Sequence, residues 1–188
     1  MMNNKLFGIS TPFEDAKKLD REYIRLSSSI GKKIKQDHID HAINFSLTAW
    51  HLADKVFNYP DTKSALKEKG IVDWKAFIER VYSLCPELEI CHDLSIIYKH
   101  YYNSSVKTVK SAAQVSKGGI AKIMGVPISK ITKINGVPIS QIAKVNGVSI
   151  SSEEKLIVKT TNGAELNFME IATAVNKFWQ KELESLKT

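Results

Sequence analysis

QDHIDHAINFSLTAWHLADKVFN, residues 36–58, is the stretch that decides the fold. Its apolar side chains recur every three or four residues, which is the spacing of one face of an α-helix. They are Ile39, Ala42, Ile43, Leu47, Trp50, Ala53, Val56 and Phe57. So broad an apolar face predicts a long helix packed within a helical bundle.

Four other helices are predicted before residue 103. Residues 13–30 carry apolar side chains near helical spacing. A short helix should follow the central one, with Asp61 as its N-cap and Gly70 as its stop. Asp73 should cap the next helix, and Pro86 should lie in the first turn of the fifth.

The character of the chain changes after residue 103. Residues 104–119 are small, polar and aperiodic, which predicts a linker or a frayed extension. Residues 154–168 alternate in polarity around Asn162-Gly163, the signature of a β-hairpin. The last helix, residues 168–186, has an apolar stripe too wide for a solitary tail. We therefore expect it to pack back onto the first helices.

Residues 120–151, IAKIMGVPISKITKINGVPISQIAKVNGVSIS, carry one eleven-residue phrase in three copies. Glycine in every copy and proline in two argue against a helix. The β-branched residues and the Asn-Gly pairs favour short strands joined by tight turns. Two arrangements remain open, a small meander and a solenoid with one rung per copy.

The insert formed by the repeats is too small to bury a core of its own. It should complete that core against its own domain, a second copy or another protein. Stacked copies would also align their lysines in a like-charge column, which is unfavourable unless it is solvated, screened or matched by acidic groups. The predicted interaction residues are Ile120, Lys122, Ile131, Lys133, Gly136, Ile142, Lys144 and Gly147.

Composition limits the class of protein. The chain has 188 residues, and its 43% of hydrophobic residues can form a core. It lacks an apolar run that could span a membrane, and residues 1–18 do not resemble a secretory signal. Cys85 and Cys91 fit buried thiols in a reducing compartment. The net charge of +7 allows a polyanion partner, although dispersed lysines usually serve solubility.

One polar cluster could carry chemistry. His51 and Asp54 share a face of the second helix, and Asp93, Lys99 and His100 share a face of the fifth. If the two helices pair antiparallel, these side chains form one patch. A carboxylate that orients an imidazole serves general acid–base catalysis, and it also satisfies polar groups between helices.

Other catalytic and binding motifs are absent from the sequence. His38 and His41 share a helix face, but no further ligands complete a metal site. There is no phosphate-binding glycine loop, nucleophile elbow or dinucleotide fingerprint. We therefore predict no metal and no cofactor, and we favour a protein that is not an enzyme.

The repeats resemble a known kind of sequence. ISKITKINGVPIS and IAKVNGVSIS, within residues 120–151, are similar to the short Lys-x-x-Gly-Val repeats of virion and tail proteins of tailed bacteriophages. This resemblance implies a phage protein placed in the virion or in contact with its assembly. Its partners would be other virion or phage proteins or a second copy of the chain.

The helical part resembles a second group. HAINFSLTAWHLADKVFN and CPELEICHDLSIIYKHYY are similar to small uncharacterised bacterial and phage proteins of HEPN-like shape. Asp93, Lys99 and His100 fit the pattern of that family. HEPN ribonucleases use an arginine followed by a histidine, whereas this stretch begins with His92, so ribonuclease activity is not implied.

Together these observations predict a mainly α protein: a HEPN-like helical bundle with an inserted β repeat module and a C-terminal β-hairpin and helix. The expected parts are a bundle (residues 1–115), tandem β repeats (116–152) and a hairpin with a helix that packs back (153–188). The favoured function is a non-enzymatic phage virion or assembly protein, in the virion or the host cytoplasm. The alternative is an intracellular HEPN-like protein acting on RNA or in phage–host defence, and nucleic acid is the less favoured partner.

Overall fold

The computed structural model describes residues 11–30, 35–99, 108–116 and 154–187, together with six two-residue strands between residues 122 and 149. Two compact units divide the chain. The helical unit comprises the chain up to Ala113 and from Leu156, and the repeat unit comprises Gln114–Lys155.

Six helices build the described part of the helical unit. They are α1 (Pro12–Ser29), α2 (Lys35–Asn58), α3 (Pro60–Glu68), α4 (Trp74–Leu84), α5 (Glu87–Lys99) and α6 (Phe168–Ser185). Helix α2 packs against α1, α5 and α6, and α6 also contacts α1 and α5. Leu52 of α2 and Trp179 of α6 are both almost fully buried in the shared core. The prediction of a mainly helical protein is confirmed, as is the return of the last helix onto the first ones.

The predicted N-cap is correct for α4 and wrong for α3. Asp73 caps α4 as predicted, because its Oδ1 accepts a hydrogen bond from the N–H of Ala76 at 2.8 Å. Asp61 is not the N-cap of α3; Tyr59 occupies that position and Pro60 is the first helical residue. Proline has a suitable fixed φ and no N–H to satisfy, so the helix starts earlier and Asp61 lies in its first turn.

The predicted linker at residues 104–119 is wrong in its central part, which forms strand β1 (Val109–Ser116). This strand belongs to a three-stranded sheet of order β1-β8-β9. The carboxylate of Asp93 accepts hydrogen bonds from the N–H groups of Thr108 and Val109 and fixes the beginning of the strand. Only Val109 is buried among residues 108–112, so the segment shows no alternating pattern.

The predicted hairpin is confirmed. Strand β8 (Glu154–Thr160) pairs antiparallel with β9 (Glu165–Asn167), with Val158 opposite Leu166. The turn contains Gly163 at a φ of +90°, a conformation that a residue with a side chain rarely adopts. None of the described helices has the length and apolar character needed to cross a membrane.

The repeat unit contains three small antiparallel hairpins, one in each copy of the phrase. They are β2–β3 (Lys122–Ile123 with Val126–Pro127), β4–β5 (Lys133–Ile134 with Val137–Pro138) and β6–β7 (Lys144–Val145 with Val148–Ser149). The inner pairs are equivalent: Ile123 faces Val126, Ile134 faces Val137, and Val145 faces Val148. Each hairpin is a separate two-stranded sheet. Equal sequence phrases therefore give equal local backbone pairing.

Several predicted interaction residues are not among the residues that the structure describes. Ile120, Ile131 and Ile142 lie outside the described residues, as do Gly136 and Gly147. Their part in an interaction remains a prediction. Of the predicted set, the backbones of the three lysines are described, and each lysine begins the first strand of its hairpin.

Candidate functional site

The predicted polar patch is divided in the structure. Only His51 and Lys99 contact each other directly among the described members, with 3.1 Å between His51 Nε2 and Lys99 Nζ. This contact joins α2 to α5, and both side chains are exposed. The ammonium has no acceptor atom, so Lys99 donates and the imidazole nitrogen accepts.

The surroundings of His51 favour its neutral form. Partial burial lowers the pKa of His51, and the positive charges of Lys99 and Lys18 lower it further. Asp54 and Asp15 oppose this effect but do not reverse it. The lone pair of His51 Nε2 accepts a hydrogen bond from the ammonium of Lys99. A general base instead needs a free lone pair and a carboxylate that orients the imidazole, so this arrangement is the opposite of a general base.

The two aspartates of the predicted patch have separate roles. Asp54 is exposed, and its Oδ1 accepts a hydrogen bond from Asn58 Nδ2 at 3.0 Å. Asp93 is only 2% exposed, and its Oδ2 accepts from the N–H of Thr108 at 2.6 Å and of Val109 at 3.0 Å. Asp93 thus anchors strand β1 to α5. His100 lies outside the described residues.

A cluster of aromatic side chains surrounds His92 and was not predicted from the sequence. The imidazole stacks on the indole of Trp50, with ring centroids 3.7 Å apart and planes 24° from parallel. Tyr82 Oη lies 2.9 Å from His92 Nδ1. Burial, and next the charges of Glu89 and Asp93, raise the pKa of Tyr82, so the phenol keeps its proton in this hydrogen bond.

Trp74 extends this cluster by meeting the Trp50 ring edge-on at 5.9 Å. The His92 cluster joins α2, α4 and α5 through groups far apart in sequence, and no spacing rule brings Tyr82 to His92. Its contacts are those of a packed helix junction, where aromatic rings prefer edge-on and offset arrangements.

The cysteines are buried free thiols, as predicted. Burial raises the pKa of Cys85 to about 12, and the nearby Glu87 carboxylate adds to this shift. Burial also raises the pKa of Cys91. Since the thiolate is the nucleophile, neither group is activated for chemistry.

The histidines on the first part of α2 do not assemble a metal site in the described part of the chain. His38 is buried, and its Nε2 contacts the backbone carbonyl of Ser29. Within the described ranges, no three His, Cys, Asp or Glu side chains come together to hold a metal ion.

Comparison of the chain with protein-family models, with curated proteins and with solved structures found no match.

Proposed function

We propose that the protein is a non-enzymatic bacteriophage virion or assembly protein, and that its repeat unit mediates contacts with other phage proteins. The observation that carries this proposal is the equal register of the three hairpins, with Ile123–Val126, Ile134–Val137 and Val145–Val148 in corresponding positions. Equal backbone pairing presents the same short element three times. A partner with several matching surfaces would then bind by avidity, which strengthens binding without any new kind of contact.

The resemblance of the repeats to Lys-x-x-Gly-Val phrases of tailed-phage virion proteins supports the phage assignment. The chemistry of the helical unit is compatible with a scaffold: Asp93 binds backbone N–H groups, Cys85 is a protonated buried thiol, and His51 accepts from an ammonium.

Mass spectrometry of purified phage particles tests the proposal directly. Presence at a fixed stoichiometry supports it, and absence from particles and from assembly intermediates overturns it. A second measurement is rebinding of the purified chain to particles assembled without it. Gly125→Val, Gly136→Val and Gly147→Val, made singly and together, should weaken rebinding stepwise, because the sequence predicts a tight turn at each of these glycines and valine is strained in such a turn.

Gly163→Val is the matched control for these variants, since it makes the same change in a hairpin turn outside the repeats. It should lower the stability of the helical unit and spare rebinding. Equal rebinding by the triple glycine variant and the wild type would refute a role for the repeats.

The alternative function is that of a HEPN-like protein acting on RNA or in phage–host defence. It draws on the helical bundle and on the polar side chains of α5. Two contacts speak against a nuclease centre there: Asp93 is engaged by two N–H groups, and Lys99 donates to His51. Metal-independent cleavage of RNA by the wild type, lost in His100→Ala, would favour this alternative.

A further inference from the structure

Helices α1 and α6 pack antiparallel in a fixed register. Tyr23 Oη lies 3.1 Å from Thr173 Oγ1, and three residues earlier in α1, Asp20 Oδ1 accepts from Asn176 Nδ2 at 3.2 Å. The α6 number rises as the α1 number falls, so the helices run in opposite directions. These polar contacts fix which residues face each other along the groove between the two helices.

Five cations line this α1–α6 groove, and four of them form two opposed pairs. Lys17 and Arg21 lie on the α1 wall, and Lys177 and Lys181 lie on the α6 wall. The register places Arg21 opposite Lys177 and Lys17 opposite Lys181. On each wall the two cations are one helical turn apart, a rise of about 6 Å. All four side chains are exposed.

The positive charge of the groove exceeds its negative charge among the described residues. The groove contains two carboxylates: Asp20, which accepts from Asn176, and Glu184, which pairs with Lys187 at 2.5 Å. None of the four cations forms an ion pair or a hydrogen bond with the part of the chain that the structure describes. Like charges four residues apart on a helix repel each other, so an anion bound between these cations would relieve the repulsion.

The floor of the groove indicates what kind of anion fits. Leu183 is only 3% exposed, and the ammonium of Lys187 lies over the ring of Phe13 at 5.8 Å. Leu183 therefore offers no accessible anchor to a docking peptide helix, whose affinity needs apolar side chains that it can bury. The exposed cations are therefore the charged groups that an anionic ligand of this groove would contact.

We propose that the α1–α6 groove binds the phosphodiester backbone of single-stranded nucleic acid, without sequence preference. Packed helix axes lie about 8–10 Å apart, so cations on the two walls can contact the phosphates of one strand from both sides. Binding would come from the release of counterions from the neutralised phosphates. This inference concerns the helical unit and is independent of the repeats.

Fluorescence anisotropy with labelled dT and dA oligonucleotides, titrated with salt, tests the proposal on the full-length chain. Four neutralised phosphates predict that log K falls with log[salt] at a slope of about −2.8, equally for both sequences. Lys177→Gln with Lys181→Gln should halve the slope to about −1.4 and weaken binding roughly 50-fold at about 50 mM salt.

The matched control is Lys67→Gln with Lys110→Gln, which removes the same charge from exposed lysines outside the groove. It should keep the steep slope, and both double variants should melt like the wild type because the changed side chains are exposed. The proposal is overturned if the wild type does not bind, if both double variants lose affinity equally, or if one sequence is strongly preferred. Tighter binding of polyglutamate than of the oligonucleotides would assign the groove to an acidic protein instead.

Discussion

Replacing Asp93 by alanine should strongly destabilise the helical unit. The Asp93 carboxylate is 2% exposed and accepts hydrogen bonds at 2.6 and 3.0 Å from the first N–H groups of the β1 region. A hydrogen bond to a charged group contributes about 1.5–3 kcal/mol, and an unsatisfied buried donor is costly. Val109 is only 4% exposed, so water does not readily replace the lost acceptor. We expect the free energy of unfolding to fall by about 3–5 kcal/mol.

Urea unfolding followed by circular dichroism measures this loss by linear extrapolation. Asp93→Asn retains an acceptor oxygen without the charge and should lose about 1–2 kcal/mol. Asp54→Ala is the control, because Asp54 is an exposed aspartate of the same predicted patch and should change stability by less than about 0.5 kcal/mol. If Asp93→Ala unfolds as the wild type does, this carboxylate does not anchor the strand.

Three other perturbations follow from single contacts. Arg80→Ala should lower the free energy of unfolding by about 2–3 kcal/mol, because the Glu182 carboxylate, 6% exposed, loses the guanidinium that donates to both of its oxygens. Adding Glu182→Gln to this variant should recover part of the loss in a double-mutant cycle measured by urea unfolding, and additive losses would contradict the pairing. Gly163→Ala should lower the free energy of unfolding by about 1 kcal/mol in a thermal melt, from backbone conformation alone, since an added Cβ meets no atom within 4 Å. Lys99→Gln should raise the pKa of His51 towards its ordinary value in an NMR titration, because a neighbouring positive charge is removed. In the wild type, the pKa of His51 is lower in the folded chain than in the unfolded chain, so the unfolded chain binds a proton at this imidazole more readily. The free energy of unfolding should therefore decrease on acidification below about pH 6.5, and decrease less in Lys99→Gln. An unchanged pKa of His51 in Lys99→Gln would refute the coupling.

The sequence predicted the elements whose signals are local. The α2 helix, the Asp73 cap and the Asn162-Gly163 turn depend on signals within a few residues, and each was placed correctly. The predicted apolar face of α2 was only partly correct, because Phe45, Ala49 and Leu52 are also fully buried and Ile39 is 37% exposed. Strand β1 was missed because its formation depends on a carboxylate in α5 that no neighbouring residue reveals. Non-local contacts of this kind override weak local propensity.

The same distinction explains the outcome for the candidate site. Helical spacing correctly placed His51 and Asp54 in α2 and Lys99 in α5, and one of the cross-helix contacts formed. Spacing along a helix does not determine which neighbouring element a side chain contacts. Asp93 was expected to contact α2, but its carboxylate binds the N–H groups at the start of strand β1. The opposed cations of the α1–α6 groove were also inaccessible to sequence reasoning, since the two helices are separated by most of the chain.

The chain leaves the three-stranded sheet at the end of β1 and returns to it in β8, which is the neighbouring strand. Lengthening this excursion by one phrase, from roughly 40 to roughly 50 residues, adds only about 0.2 kcal/mol of closure entropy. Eleven residues correspond to a whole number of codons, so unequal recombination between copies preserves the reading frame. The copy number can therefore change between generations at almost no thermodynamic cost to the helical unit, and the number of presented hairpins becomes a heritable quantity open to rapid selection.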